Sequence, residues 1–321
     1  MTTLTTYAQL IEDAISVYEL PTRPANLYEP LRYFLKLGGK RMRPMLTLMA
    51  AKANGVGVEK AMPAALAVEL FHNFSLIHDD IMDAAPLRRS QATVHEKWNA
   101  NIAILSGDVL LVKAYEQLAT YQEGPLVKLL HLFNKTAIEV CEGQQMDMDF
   151  ETQTEVSAAA YLEMIRLKTS VLVGCALQMG ALIGGANDAL AAQYYTFGEQ
   201  LGLAFQIQDD LLDAYGDPSK VGKQVGGDIL ANKKTLLSIT AFEQANEVQR
   251  KQLFKLQTVT HPSQKVADTL SLFEQLQVAR LCKIKMQQHQ ELAMKALDQI
   301  ERVQDQRELR ALADFLFERN H

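Results

Sequence analysis

Apolar residues recur at intervals of three and four through nearly the whole chain, the spacing of one helix face, so the pattern predicts helices from end to end. Residues 4 to 19 carry Leu4, Tyr7, Leu10, Ile11, Ala14, Ile15 and Tyr18 on such a face before Pro21 and Pro24 break it. Pro63 is placed to open a helix that runs to Asp83, apolar up to its last turn and therefore expected to be largely buried. Residues 93 to 150 read as two long helices parted at Gly124-Pro125. A further helix carries residues 165 to 174, and the one over 188 to 213 aligns Gly198, Gly202, Gln206, Asp210 and Asp213. Glycines inside a helix cost about 1 kcal/mol each, so this pair predicts either space for a ligand or close packing of another helix. Tyr215-Gly216-Asp217-Pro218 ends that helix, and amphipathic helices resume over 236 to 318 with a break near His261-Pro262. The expectation is an all-α protein in which residues 1–321 form a single domain.

Composition agrees with long helices. Gly 17 and Pro 9 make 26 of 321 residues, about 8% where roughly 12% is average. No proline-rich or glycine/serine-rich linker divides the chain, and an all-helical protein of this length can carry one large core. The formal net charge of -6 points to no nucleic-acid partner. Cys141, Cys175 and Cys282 are far apart and odd in number, which predicts neither a disulfide framework nor a thiolate metal site and fits a reducing cytoplasm. Met1 to Thr6 lacks a basic region followed by an apolar run, and no stretch reaches 18 uninterrupted apolar residues. A soluble, unprocessed, cytoplasmic protein that is not an integral membrane protein is therefore expected.

The chemistry concentrates in two carboxylate clusters. The first is Ser75-Leu76-Ile77-His78-Asp79-Asp80-Ile81-Met82-Asp83; the second is Gln206-Ile207-Gln208-Asp209-Asp210-Leu211-Leu212-Asp213. At about 100° per residue, Asp79, Asp83 and Asp80 share one arc of roughly 100°. Like charges one turn apart destabilise a helix, more so where water is excluded, unless a cation sits among them. Hard carboxylate oxygens at this density suit Mg²⁺, which takes one or two carboxylates and fills its shell with water and substrate phosphate oxygens. Basic residues follow the same logic. Arg88 and Arg89 come soon after the first cluster, and an arginine fork binds phosphate bidentately. Leu37-Gly38-Gly39-Lys40-Arg41-Met42-Arg43-Pro44 joins flexible backbone and cations at a helix start, and His72 lies on the stripe that leads to Asp79 and Asp83. Lys168 shares a face with Ile165, Leu172, Cys175 and Met179, so its charge is expected to meet an anion inside. The loop Gly222-Lys223-Gln224-Val225-Gly226-Gly227-Asp228, with Lys233 beyond it, reads as a lid over a bound phosphate.

Motifs in this order resemble the trans-prenyltransferases, the head-to-tail isoprenyl diphosphate synthases: the Gly38-to-Pro44 loop, the two aspartate-rich motifs with Arg88-Arg89, Gly143-Gln144 with Asp147, Lys168-Thr169, and Gly222-Lys223 with Lys233. The resemblance implies an isoprenoid synthase fold, with helices around a deep central cavity, and a homodimer. It implies that Asp79, Asp83 and Asp209 ligate three Mg²⁺ ions, supported by Asp80, Asp210 and Asp213. Arg88, Lys168, Lys223 and Lys233 would hold an allylic diphosphate (dimethylallyl, geranyl or farnesyl), while Lys40, Arg43, His72 and Arg89 would hold isopentenyl diphosphate. Thr169 and Gln206 would face the reacting carbons. A class I terpene cyclase and a catalytically silent partner subunit are the rival readings; neither ordinarily keeps both aspartate motifs together with a second basic site.

Product length is expected to depend on the helix before Asp79. Side chains four, five and eight positions earlier lie roughly 6, 7.5 and 12 Å down that helix, and they are Ser75, Phe74 and Phe71. Phe74 alone, with Ser75 small and no insertion in the motif, resembles the archaeal-type geranylgeranyl diphosphate synthases. A C20 product is expected, with C15 farnesyl diphosphate the alternative.

Overall fold

The computed structural model describes residues 3–122, 124–216, 226–300 and 306–317. The chain separates into two compact units, interleaved along the sequence: Met1–Lys135, Cys175–Tyr195 and Ile300–Leu309 make the first, and Thr136–Gly174, Thr196–Gln299 and Arg310–His321 the second. The helix order is α1 (Thr3–Ser16), α2 (Ala25–Lys36), α3 (Met42–Ala53), α4 (Val58–Met82), α5 (Val94–Lys97), α6 (Ala100–Leu118), α7 (Leu126–Thr152), α8 (Ala158–Ile165), α9 (Val171–Ile183), α10 (Asp188–Tyr215), α11 (Gly227–Leu230), α12 (Leu236–Gln244), α13 (Glu247–Gln257), α14 (Pro262–Gln275), α15 (Val278–Asp298) and α16 (Gln306–Phe317). Among the described residues the strands are β1 (Leu87–Arg88) and β2 (Gln91–Ala92), an antiparallel pair.

In the first unit α4 is packed against α3 and α6. Its flank is mostly small, with Ala61, Ala64, Ala65 and Ala67 buried, so backbones approach closely. Gly107 of α6 continues that approach, because a Cβ there would stand 2.4 Å from His78 Nε2. The helix begins at Val58, five residues before the start that Pro63 predicted. Pro63 has no N–H and disturbs the first turns without ending them. The Tyr121 hydroxyl repairs the ladder there, accepting from Ala64 N at 3.3 Å and donating to Lys60 O at 2.7 Å.

In the second unit, buried Tyr161, Ile165, Ile207, Leu211, Leu236 and Phe273 tie α8, α10, α12 and α14 into one apolar cluster. The expected helix through 165–174 is present, but Arg166–Ser170 forms a π-helical turn between α8 and α9. Three things admit the wider turn: Gly143, whose Cβ would stand 2.3 Å from Lys168 N; Gly202, whose Cβ would stand 2.8 Å from Ser170 Cα; and the Ser170 hydroxyl, bonded to Ile165 O at 3.4 Å. Gly202 thus serves close helix packing, the second of its two expected uses. The span Ala158–Ile183 is long and apolar enough to cross a membrane, yet 72% of its most apolar window is buried in the protein, as in a core helix. The later helices start as the polar signals predict, with an Asn246–Gln249 capping box on α13 and Pro262 opening α14.

Candidate active site

The first aspartate cluster closes α4. Met82 is the last helical residue and Asp83 its C-cap, exposed, while Asp79 is partly exposed and Asp80 is 1% exposed. Burial favours the protonated form of Asp80 and raises its pKa; the Arg88 guanidinium opposes that by donating from Nε to both carboxylate oxygens at 2.8 and 2.9 Å. Arg88 Nη2 lies 2.7 Å from Asp80 and 3.9 Å from Asp79. Arg88 reaches them from a hairpin in which Leu87 pairs with Ala92 and Arg88 with Gln91. Its turn residues Arg89 and Ser90 have φ 52° and 62°, as a two-residue type I′ turn requires.

The turn carries Arg89 to the glycine loop. Gly39 has φ 152°, a backbone conformation that favours glycine, and its Cα lies against the Arg89 guanidinium, so that a Cβ there would stand 2.8 Å from Arg89 Nη2. Within the loop, Lys40 is exposed but Arg41 turns inward. Arg41 is left-handed at φ 47° and bonds Glu12, Glu69 and Leu35 O. Arg43 donates from Nη1 to His72 Nε2 at 3.2 Å, and its buried Nε finds no partner among the described residues. A guanidinium only donates, so His72 Nε2 accepts and the ring is neutral. Burial, then Arg43, Arg89 and Arg88, holds the His72 pKa well below its ordinary value. Arg43, His72 and Arg89 are therefore gathered in one electropositive place, suited to an anion.

Phe71 is 1% exposed and stacks on Phe133 and Phe74, at 5.3 and 5.6 Å between ring centres, with Phe74 in turn 4.7 Å from the His78 ring. Ser75 Oγ bonds back to His72 O at 2.8 Å. Phe71 is therefore a core residue, and Phe74, half-buried, is the outer member of the stack.

In the second unit the second cluster repeats the burial pattern of the first: Asp209 half-buried, Asp210 5% exposed. The partners differ. Asp210 accepts from the Tyr161 hydroxyl at 2.5 Å and from Gln206 Nε2 at 3.3 Å, and burial lifts its pKa to about 7. Thr169 Oγ1 donates to Gln206 Oε1 at 3.5 Å. Lys168, its side chain 24% exposed, pairs at 2.6 Å with Asp147, 38% exposed, at the protein surface and not in the interior. Asp213 accepts from Gly226 N through its carbonyl and from Asp228 N through its carboxylate, capping α11. Lys233 is 62% exposed and 3.9 Å from Asp228. Lys223 and the rest of 217–225 lie outside the described residues.

The donor set fits Mg²⁺. Asp79 and Asp83 in the first motif and Asp209 in the second are accessible hard carboxylates, the one or two per site that Mg²⁺ takes when phosphate and water complete its shell; among the described residues no three His, Cys, Asp or Glu side chains gather as a metal site by themselves. Tyr161, Asp147 and Arg41 are the partners that sequence reasoning left unassigned. Tyr161 carries no signal in the periodicity beyond that of a core aromatic, whereas Asp147 stood in a quoted motif.

Residues 24–276 match the family model of the polyprenyl synthetases. The chain is 46% identical over 224 residues to a geranylgeranyl diphosphate synthase of Methanosarcina mazei, covering 69% of each protein. It is 38% identical over 318 residues to a geranylgeranyl pyrophosphate synthase of Geoglobus acetivorans, covering 98% of this chain and 97% of that protein. A crystal structure of a geranylgeranyl pyrophosphate synthase, 42% identical, superposes with a TM-score of 0.94 over 100% of both chains.

Proposed function

The chain belongs to the polyprenyl synthetase family and is a prenyltransferase, and from that premise we propose that it condenses isopentenyl diphosphate with an allylic diphosphate to make geranylgeranyl diphosphate. The observation that carries this reading is the repeated division of labour inside the aspartate motifs. In each, the second aspartate is buried and held by the protein, while its neighbour stays accessible. That is what a ligand carboxylate with a fixed supporting neighbour requires. Asp79, Asp83 and Asp209 would hold three Mg²⁺ ions, which when bound neutralise the charge that develops on the leaving diphosphate. Arg88, Lys168, Lys223 and Lys233 bind and orient the allylic diphosphate, and Lys40, Arg43, His72 and Arg89 the isopentenyl diphosphate. The Thr169 and Gln206 oxygens face the carbon that becomes positive as its bond to diphosphate oxygen breaks, and apolar surroundings keep water from that cation. The double bond of isopentenyl diphosphate attacks it, and the resulting cation loses a proton to the released diphosphate. The C20 length is supported by the names of the relatives and by Phe74 standing five positions before the motif, with Ser75 small. The whole chain acts as one catalytic domain, as a homodimer in the cytoplasm.

The test is incubation of the purified protein with Mg²⁺, isopentenyl diphosphate and each allylic primer, followed by chromatography of the dephosphorylated alcohols. A C20 alcohol is expected; a product that stops at C15 overturns the length, and no elongation overturns the reading. Asp79→Asn keeps the shape but removes ligand charge, and is expected to cost about 10³-fold or more in turnover with the fold intact.

A further inference from the structure

In the second unit a buried polar chain runs through Tyr161, Asp210, Gln206 and Thr169. Tyr161 is 4% exposed, so its hydroxyl proton must be given to a protein acceptor, and Asp210 Oδ2 takes it at 2.5 Å. Asp210 Oδ1 takes the Gln206 amide N–H at 3.3 Å. With its nitrogen turned to Asp210, the amide presents its oxygen to the other side, where Thr169 Oγ1 donates to it at 3.5 Å. The two ends of a glutamine amide are nearly the same shape, and only the acceptor beside it decides which way round it sits.

We propose that Tyr161 is a positioning residue for the reaction: by donating to Asp210 it holds the carboxylate that orients the Gln206 amide, and so fixes the Gln206 and Thr169 oxygens toward the substrate. The inference rests on the prenyl-transfer reading given above. Reversing the Gln206 amide would put N–H groups where an oxygen stood, and donors aimed at a carbon that becomes positive oppose the step that the oxygen assists. The first motif gives the contrast. There the corresponding Asp80 is held by the Arg88 guanidinium, a cation. Tyr161 is neutral, so it fixes Asp210 without competing as a cation for the diphosphate. Burial above all raises the phenol pKa well above its ordinary value, so Tyr161 keeps its proton and stays the donor.

Tyr161→Phe keeps the ring in the core and removes only the hydroxyl. It is expected to lower kcat by about 10- to 100-fold, the size of effect that a misaimed reacting group produces, with KM for isopentenyl diphosphate unchanged. Added to Gln206→Ala, it is expected to lower kcat no further, since its effect passes through that amide. A Tyr161→Phe enzyme with unchanged kcat overturns the proposal. So does a double variant whose losses multiply, and so does a rise in both KM values with kcat retained, which marks Tyr161 as packing only. A wild-type protein with no elongating activity would instead refute the underlying prenyl-transfer reading, so the two failures are distinct.

Discussion

Arg41 and Arg43, two residues apart, do opposite work. Arg41 has its side chain 1% exposed and paired with Glu69, itself 4% exposed, so each charge depends on the other for its place in the interior. Removing one partner of such a buried pair costs about 3–5 kcal/mol, because the other is left uncompensated. Arg41→Met is expected to lose that much in urea unfolding, whereas Arg43→Met should raise KM for isopentenyl diphosphate at little cost in stability. His72 adds a pH dependence. Its folded pKa lies well below the ordinary 6.5 because of burial and then Arg43, Arg89 and Arg88, so the folded protein binds fewer protons than the unfolded chain. The stability it contributes is complete above about pH 6.5 and is lost as pH falls toward the depressed folded value. Wild-type melting temperature is therefore expected to fall more between about pH 7.5 and about pH 5.5 than that of His72→Gln, whose amide can still accept from Arg43 and does not titrate. Equal slopes for the two proteins would refute it.

At the scale of elements, two departures from periodicity fall beside candidate site residues and one at the far end of α4. A period of 3.6 residues foresees neither the π turn at Arg166–Ser170 nor the hairpin at 87–92, since both are made by partners distant in sequence or by positive-φ geometry that Arg89 and Ser90 do not advertise. Pro63 misled in the other direction: proline favours a first turn, but Tyr121 supplied the missing bond and the helix began earlier. The carboxylates, by contrast, were legible, because their spacing itself placed them on one arc of one helix. The π turn yields its own prediction. Gly143→Ala would put a Cβ 2.3 Å from the backbone nitrogen of Lys168, which no side-chain rotation relieves. It is expected to cost about 1–3 kcal/mol in stability and to lower turnover by displacing Lys168 and Thr169. A midpoint of denaturation that did not move would show that the π turn yields freely.

At the scale of the whole molecule, α6 leaves an apolar surface that the described residues do not cover. Ile104, Leu105 and Val112 are 42%, 60% and 59% exposed, and they fall within an arc of about 100° on the helix. The opposite side of α6, with Ala103, Gly107, Leu110 and Ala114, is buried against α4 and its neighbours, and the exposed arc carries these three large apolar side chains together with Asn101 and Asp108. A surface helix in a monomer ordinarily keeps one polar face. Three large apolar side chains exposed on a face that also carries polar ones are the pattern of a mixed interface with another chain, and in a two-fold dimer the same face would meet its own copy. The homodimer proposed above is therefore expected to form through α6. Leu105→Arg brings like charges together at such an interface, and in sedimentation equilibrium it should convert the dimer to monomer or weaken the association by at least about tenfold, roughly 1.4 kcal/mol. A wild-type protein that sediments as a monomer would refute the dimer, and a Leu105→Arg dimer of unchanged affinity would move the interface to another face.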